Sequence, residues 1–196
     1  MSKRITGYSA VTPKSMTSGA GVVFENFDLA TDTYEGAEAK KAGATTGGVK
    51  IKVEYPGKWT REIDGLPENT VGMDELEFIK PTISFAIVEV SNASRLKNAL
   101  GGADVAAADK PSGYQVVTPR ADLTENDYLD NLTAFVRTKH GEPMIIQMDN
   151  PLSTEGFEFA TASKEGGSIE VTYTGNFDPL NLDKNPIRFY VPTSSN

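Results

Sequence analysis

Gly43-Ala44-Thr45-Thr46-Gly47-Gly48-Val49-Lys50-Ile51-Lys52-Val53-Glu54-Tyr55 begins as a glycine-rich joint and continues as an alternation of apolar and charged residues. A period of two is typical of a β-strand with one buried face, and it places Val49, Ile51 and Val53 on that face. Pro56-Gly57 follows at once and suits the two central positions of a type II turn. Residues 59–63 alternate again. We therefore predict a β-hairpin over 49–65 that is attached to a flexible joint.

Outside this hairpin, the chain carries several more strand patterns. Residues 127–139 and 143–149 predict a second hairpin. Residues 157–162 and 168–174 predict a third, with apolar residues on one side and small, acidic and hydroxyl residues on the other, as in an antiparallel sheet with one buried face. Further strands are expected at 21–26, 73–78, 114–118 and 187–191.

The segment from Pro81 to Val90 differs because it is apolar on both faces, which is typical of a central strand. A short helix is expected next. Ser91 or Asn92 can cap its first turn, and Gly101-Gly102 ends it. Together these patterns predict a mainly β protein, an antiparallel β-sandwich or barrel with one short flanking α-helix.

Three segments show no strand pattern. Residues 1–18 are interpreted as a flexible N-terminal arm, and residues 19–196 as a single β domain. Within that domain, residues 27–46 form a connection longer than compact domains commonly contain, and such connections are usually functional or disordered. Residues 103–113 are rich in small residues and are expected to form a loop.

Composition limits the function. The chain has 196 residues, a net charge of −8 and no cysteine. An acidic chain without a concentrated basic patch is a poor candidate for tight nucleic-acid binding. The lack of cysteine excludes disulfides, thiolate metal sites and thiol nucleophiles. No apolar run resembles a signal peptide or a membrane span, so we expect synthesis inside the cell and no membrane span.

The sequence offers little for catalysis. His140 is its only histidine and lies in a predicted turn beside a glycine. General-base catalysis needs a pocket and an orienting partner, so a solvated or structural histidine is the simpler interpretation. Asp178, Asn181 and Asp183 lack the spacing of a calcium loop and fit a plain turn. We expect no enzyme, no cofactor and no metal.

The order of the segments resembles that of the major tail tube proteins of long-tailed bacteriophages. The likeness extends over about residues 19–192. It is carried by Gly43–Gly48 with the strand after it, by Glu62-Ile63-Asp64-Gly65, by Pro81–Val90 with Ser91–Leu96, by the hairpin from Phe157 to Asp178, and by Pro186–Tyr190.

The resemblance implies a structural virion protein. Members of that family form hexameric rings that stack into a hollow tube, and neighbouring subunits join their inner sheets into one barrel around the lumen. Genomic DNA passes through the lumen into the host without specific binding. The implied partners are further copies of the chain, together with tape-measure and tail-terminator or baseplate proteins. The implied location is the virion tail, assembled in the host cytoplasm.

Two sets of residues follow as candidates for such a role. The polar side of the third hairpin is predicted to face the lumen, through Glu158, Ser168, Glu170 and Thr172. The 27–46 loop and its glycine joint are predicted to be mobile in the monomer and to order against a neighbouring subunit, through Thr33, Tyr34, Lys40, Lys41, Gly43, Thr45, Gly47 and Gly48.

A different class of function also fits the sequence. A monomeric β-sandwich that binds a carbohydrate or a receptor would use exposed aromatic side chains such as Trp59 and Tyr114 as platforms. The assembly state separates the two hypotheses, because a binding module stays small at high concentration and a tube protein does not. An enzyme with an unrecognised site is the third and least supported alternative.

Overall fold

The computed structural model describes residues 12, 16, 17, 19, 21–67, 70–89, 91–139, 142–156, 158–160 and 167–193. It confirms a mainly β protein with antiparallel sheets and one α-helix. The strands, in chain order, are β1 (Val22–Glu25), β2 (Thr45–Glu54), β3 (Lys58–Thr60), β4 (Asp74–Leu76), β5 (Lys80–Ile87), β6 (Ala103–Ala107), β7 (Gln115–Pro119), β8 (Asn131–Val136), β9 (Met144–Asp149), β10 (Leu152–Ser153), β11 (Glu158–Ala160), β12 (Ser168–Thr174) and β13 (Ile187–Tyr190). The helix α1 is Ala93–Leu100.

Two large sheets form a β-sandwich-like body. The first has four strands in the order β1-β8-β9-β13. The second has five strands in the order β10-β12-β5-β2, with β11 also paired to β12. β10 and β11 lie beside opposite ends of β12, because Leu152 faces Thr174 whereas Glu158 faces Glu170. The second sheet therefore has four strand positions across its width.

The main core lies between these sheets. Leu132, Ala134 and Ile146 of the first sheet and Ile83, Phe85, Val171 and Tyr173 of the second belong to one buried cluster. Each of these strands buries alternate residues there, as the period of two requires. The helix contributes Ala99, which is fully buried. Burial of these apolar side chains is the main source of the stability of the body.

The predicted central strand and helix are confirmed. β5 lies between β12 and β2. The side chain of Asn92 accepts hydrogen bonds from the backbone N–H groups of Ser94 and Arg95 and so caps α1. Gly101 follows with φ 78°, a conformation that glycine adopts without strain, and ends the helix. The second hairpin is confirmed as β8–β9, and the third as the pairing of β11 with β12.

The first predicted hairpin is wrong. The chain does turn at Pro56-Gly57, where the N–H of Lys58 donates to the carbonyl of Tyr55, but the φ of Gly57 is not positive and the turn is not type II. β2 then pairs with β5, and β3 pairs with β4. The physical reason is burial: Val49, Ile51 and Val53 reach the core beside β5, and a local hairpin would give them no such partner.

The glycine joint is part of β2. Pairing shifts between Thr46, opposite Ala86, and Val49, opposite Phe85, so Gly47 and Gly48 form a bulge of two extra residues with φ 73° and 85°. The predicted loop over 103–113 is also partly wrong, because Ala103–Ala107 pairs with Gln115–Pro119 as a hairpin. Of the predicted 1–18 arm, the described part includes Thr17, which bridges to Thr138.

Candidate functional site

The outer face of the five-stranded sheet is polar along its whole width. Residues that alternate with the core side chains point outward from four strands, and together they define what we call the polar face: Thr46, Lys50, Lys52, Glu54, Lys80, Thr82, Ser84, Ala86, Glu158, Ser168, Glu170, Thr172 and Thr174. The four residues predicted from the third hairpin, Glu158, Ser168, Glu170 and Thr172, therefore share one face. Glu158 and Glu170 are exposed, and Ser168 and Thr172 are half-buried.

Hydroxyl groups occupy the centre of the polar face. The Thr172 hydroxyl donates to the Ser84 hydroxyl at 2.9 Å across the β12–β5 pair. Thr82 is buried on the same face, at 8% exposure. The contributions of β2 and β5 were missing from the sequence prediction, because which strands lie beside the third hairpin depends on pairing over long distances in the chain. The result is a polar surface that extends over β11, β12, β5 and β2.

Charge on the polar face is divided between its two sides. Glu158 and Glu170 are cross-strand neighbours on the β11–β12 side. Lys50 and Lys52 lie on the β2 side, where the Lys52 ammonium pairs with the Glu54 carboxylate at 2.6 Å. That pairing, through the hydrogen bond that Glu54 receives, holds the pKa of this carboxyl below its ordinary value. The face is thus acidic on one side and mixed on the other.

The two sides of this sheet also have free edges. Among the described residues, no strand pairs with the outer edge of β2 or of β11. A strand edge with unpaired N–H and C=O groups is a template for another strand. β10, in contrast, is covered by the helix, since the Ser153 hydroxyl donates to the Ala99 carbonyl at 2.7 Å.

The outer face of the four-stranded sheet is closed by the start of the 27–46 segment. Phe24, Phe27 and Phe135 form a buried cluster with Ala37, and Tyr34 lies edge-on to Phe24 and Phe135 at centroid distances of 5.6 and 5.5 Å. The Gln147 amide donates to the Phe27 carbonyl at 3.2 Å and holds the backbone of the segment to the sheet. This packing was not predicted from the sequence.

The rest of the predicted loop is tied to the same chain. Lys40 pairs with Asp32 at 2.5 Å. The N–H of Ala42 donates to the carbonyl of Val23, which extends the edge of β1, and Ala42 is fully buried. Thr33 is exposed, Lys41 is half-buried, Gly43 is buried and Thr45 is half-buried. The segment therefore has extensive contacts within one subunit, and its contact with a neighbouring subunit stays a prediction.

Other possible sites give little chemistry. His140 lies outside the described residues. Asp178 and Asn181 form a bridged turn, and no group of three or more His, Cys, Asp or Glu side chains is placed to hold a metal in the part of the chain that the structure describes. Within that same part, no helix has the length and apolar character needed to span a membrane.

One polar cluster outside the polar face joins β9 to β13. Arg188 binds the Asp149 carboxylate through two N–H groups, each at 2.6 Å, and Lys184 adds a contact at 3.0 Å. Burial opposes ionisation of Asp149, but the hydrogen bonds from the two cations outweigh it and lower its pKa. Asp149 pairs with both cations, so the cluster fixes the start of β13 on β9.

Comparison with known proteins adds no assignment: no family model and no curated protein matches this chain.

Proposed function

We propose that this protein is a structural subunit that closes into hexameric rings, stacked as the hollow tail tube of a long-tailed bacteriophage and serving as the conduit for DNA ejection into the host. The observation that carries the proposal is the five-stranded sheet, which combines a largely solvent-accessible polar face with a free edge on each side. Tape-measure and tail-terminator or baseplate proteins are the proposed further partners, and the virion tail is the proposed location.

The choice of sheet follows from what covers each face. The four-stranded sheet has its inner face in the core, and the part of its outer face over β1 and β8 lies under Phe27 and Ala37. The five-stranded sheet has its inner face in the core, and its outer face is buried only at one end, at Thr82 and Thr174, among the described residues. A wall around an aqueous channel needs a polar face, and the polar face supplies one.

Strand direction supports closure through the free edges. β2 is antiparallel to β5, β5 to β12, and β12 to β11. β2 and β11 therefore run in opposite directions. If β2 of one copy lies beside β11 of the next, the combined sheet continues as a regular antiparallel ladder. Closing a ring in this way removes both free edges, which is a common solution to the hazard that such edges present.

The width of the sheet gives a channel of useful size. Six copies with four strand positions each give about 24 strands, which at about 4.8 Å spacing and about 40° tilt close into a barrel roughly 50 Å across between backbones. The side chains of the polar face are short or acidic at its centre, so the remaining channel is wider than a DNA duplex.

The chemistry of the face suits passage. Lys or Arg contacts to phosphates would add affinity and slow the DNA. Glu158 and Glu170 repel phosphate on the β11–β12 side of the face, whereas Lys50 and Lys52 attract it on the β2 side, where Glu54 is paired with Lys52. The net charge of −8 adds to the repulsion.

Electron microscopy of the purified protein at increasing concentration tests the proposal directly. Hollow tubes or rings, with light scattering that grows with concentration, are the expected result. A protein that stays monomeric at the highest concentration, even with preformed fragments of tube added as seeds, would contradict it.

A charge reversal then tests whether the polar face points into the channel. In tubes, Glu170→Lys would place a lysine on the channel wall of every subunit. We expect these tubes to bind added DNA, and the binding to weaken as the salt concentration rises. Glu35→Lys is the matched control, since Glu35 is exposed on the segment that covers the other sheet. Equal DNA retention by the two variants would show that Glu170 does not line the channel.

The alternative function keeps one observation in its favour. Trp59 and Tyr114 are exposed aromatic residues, at 42% and 65%. The guanidinium of Arg61 lies 5.8 Å from the centre of the Trp59 ring, however, and occupies one of its faces. If the monomer binds glycans on an array and Trp59→Ala abolishes that binding, the protein is a carbohydrate-binding module instead of a tube protein.

A further inference from the structure

All three lysines of the polar face, Lys50, Lys52 and Lys80, line one cavity. The cavity has a volume of about 150 Å³ and lies over the paired strands β2 and β5. Every other residue described in its wall is polar as well: Glu54, Thr82, Ser84, Glu155 and Thr172. Sites for organic ligands are mostly apolar and measure about 300–1,000 Å³. A cavity this small and this polar suits an ion, or one charged group of a larger molecule.

Strand pairing holds the lysines close together. Lys50 and Lys52 are alternate residues of β2, so their Cβ atoms lie about 7 Å apart on one face. Lys50 is directly opposite Ser84, and Lys80 is directly opposite Glu54, where Cβ atoms are about 5 Å apart. Lysine side chains span such distances, so a single anion in the cavity is close to more than one ammonium group.

Lys50 is the cation of this cavity that has no internal partner. Lys52 pairs with the Glu54 carboxylate at 2.6 Å, and Lys80 lies opposite the same carboxylate. Within the described part of the chain, no carboxylate lies within ion-pair distance of Lys50, whose side chain is exposed. An ammonium group carries three N–H donors. Lys50 therefore has its full donor capacity available for a ligand.

A hydroxyl donor lies beside Lys50. The Ser84 hydroxyl accepts a hydrogen bond from the Thr172 hydroxyl at 2.9 Å. Its own hydrogen has no acceptor among the residues that the structure describes. A hydroxyl that accepts one hydrogen bond becomes a stronger donor of the next. Lysine ammonium and serine hydroxyl groups are both common donors to phosphate oxygens, so this pair favours a phosphate group as the ligand.

Two carboxylates in the wall limit the affinity of the cavity. Glu54 and Glu155 stand against the three lysines, which leaves a formal charge of +1. The cavity is also open to water, where salt screens the attraction between charges. We therefore expect weak binding that falls as the salt concentration rises.

We propose that this cavity is a binding site for a phosphate group, with Lys50 and Ser84 as the direct donors and the other two lysines as nearby positive charge. The phosphate belongs either to a nucleic-acid strand or to a free phosphate ion. The whole cavity lies within one subunit, so the site does not depend on the proposed function. In a channel wall it would contact the DNA backbone, and such contacts carry no sequence information, so DNA of any sequence would still pass.

Nuclear magnetic resonance titration of dilute, isotope-labelled protein with sodium phosphate, at constant pH and ionic strength, tests this site. We expect saturable shifts of the backbone amides of Lys50 and Ser84. Lys50→Gln should weaken binding about threefold to fivefold, the range of an exposed ion pair. Glu155→Gln should tighten it about twofold, because it removes an opposing charge. Lys110→Gln is the matched control, since Lys110 is an exposed lysine in the connection between β6 and β7.

A short DNA duplex in the same titration distinguishes the two sources of phosphate. Duplex binding that Lys50→Gln weakens would assign the site to a nucleic-acid backbone, whereas binding of phosphate without the duplex would assign it to free phosphate. No saturable shift with either ligand would overturn the inference, and so would equal binding by Lys50→Gln and Lys110→Gln. Tubes whose subunits bind no phosphate would overturn this site alone. A persistent monomer that binds phosphate would contradict only the tube.

Discussion

Phe27→Ala is expected to cost a large part of the stability of this protein, because Phe27 is the centre of the cluster that closes the four-stranded sheet. Its side chain is 2% exposed, and its ring centroid lies 5.0 Å from that of Phe24 and 5.2 Å from that of Phe135. Truncation of a buried phenylalanine to alanine costs about 3–5 kcal/mol. Two aromatic contacts are lost at once, so we expect about 4 kcal/mol.

Urea unfolding followed by far-ultraviolet circular dichroism measures this cost. With a slope of about 2.5 kcal/mol per molar urea, a loss of about 4 kcal/mol lowers the midpoint by about 1.6 M. Tyr34→Ala is the control within the same cluster. Tyr34 is 44% exposed and contacts the cluster only at its rim, so its truncation should shift the midpoint by less than half as much.

The comparison bears on function as well as on stability. If Phe27→Ala lowers the midpoint no more than Tyr34→Ala does, the segment after β1 does not close the outer face of the four-stranded sheet. Both sheets would then have an open face, and an open face would no longer distinguish the five-stranded sheet as the channel wall.

Three further changes have defined outcomes. Gly101→Ala should lower the free energy of unfolding by about 2–4 kcal/mol and so lower the melting temperature strongly. The reason is that φ is 78° and a Cβ would lie 2.5 Å from the Ser153 carbonyl oxygen. Asp149→Asn should flatten the dependence of the urea midpoint on pH. The folded pKa of Asp149 is lowered, so its contribution is present above the unfolded pKa of about 4 and is lost as pH falls through the folded value; an unchanged pH profile would contradict this. Tyr173→Phe should leave thermal stability equal or raise it by about 1 kcal/mol, since the buried hydroxyl has no hydrogen-bond partner among the described residues; a marked loss would reveal a partner.

Local patterns predicted the elements of this fold well. The alternation in β8 and β9, the apolar run of β5 and the Asn92 cap each depend on residues close together in the chain. Pairing was harder. The Pro56-Gly57 turn indicated where the chain reverses, but not that β2 would pair with β5, about 30 residues later. That choice is made by burial in the complete core, which no local pattern contains.

The missed hairpin and the covered outer face have different explanations. β6 is built from Ala103 to Ala107 and carries almost no apolar alternation, so its strand signal is weak. The closed face did leave a signal. Phe135 lies on the face of β8 opposite to Leu132 and Ala134, and an aromatic residue there indicates a second covered side. The four residues predicted to face the lumen were correctly placed on one face of the sheet. They lie on one hairpin, and the alternation of side chains along its strands is sufficient to assign them to a face.

The bulge at Gly47 and Gly48 determines which changes of chain length β2 can accept. It contains two extra residues, an even number, so Thr46 and Lys50 remain on the same side of the sheet. Loss of both glycines would keep every later side chain of the strand on its present face. Loss of one would leave a single extra residue, so the bulge would have to rearrange or Thr45 and Thr46 would exchange faces. Deletion of both glycines should therefore be tolerated better than deletion of one.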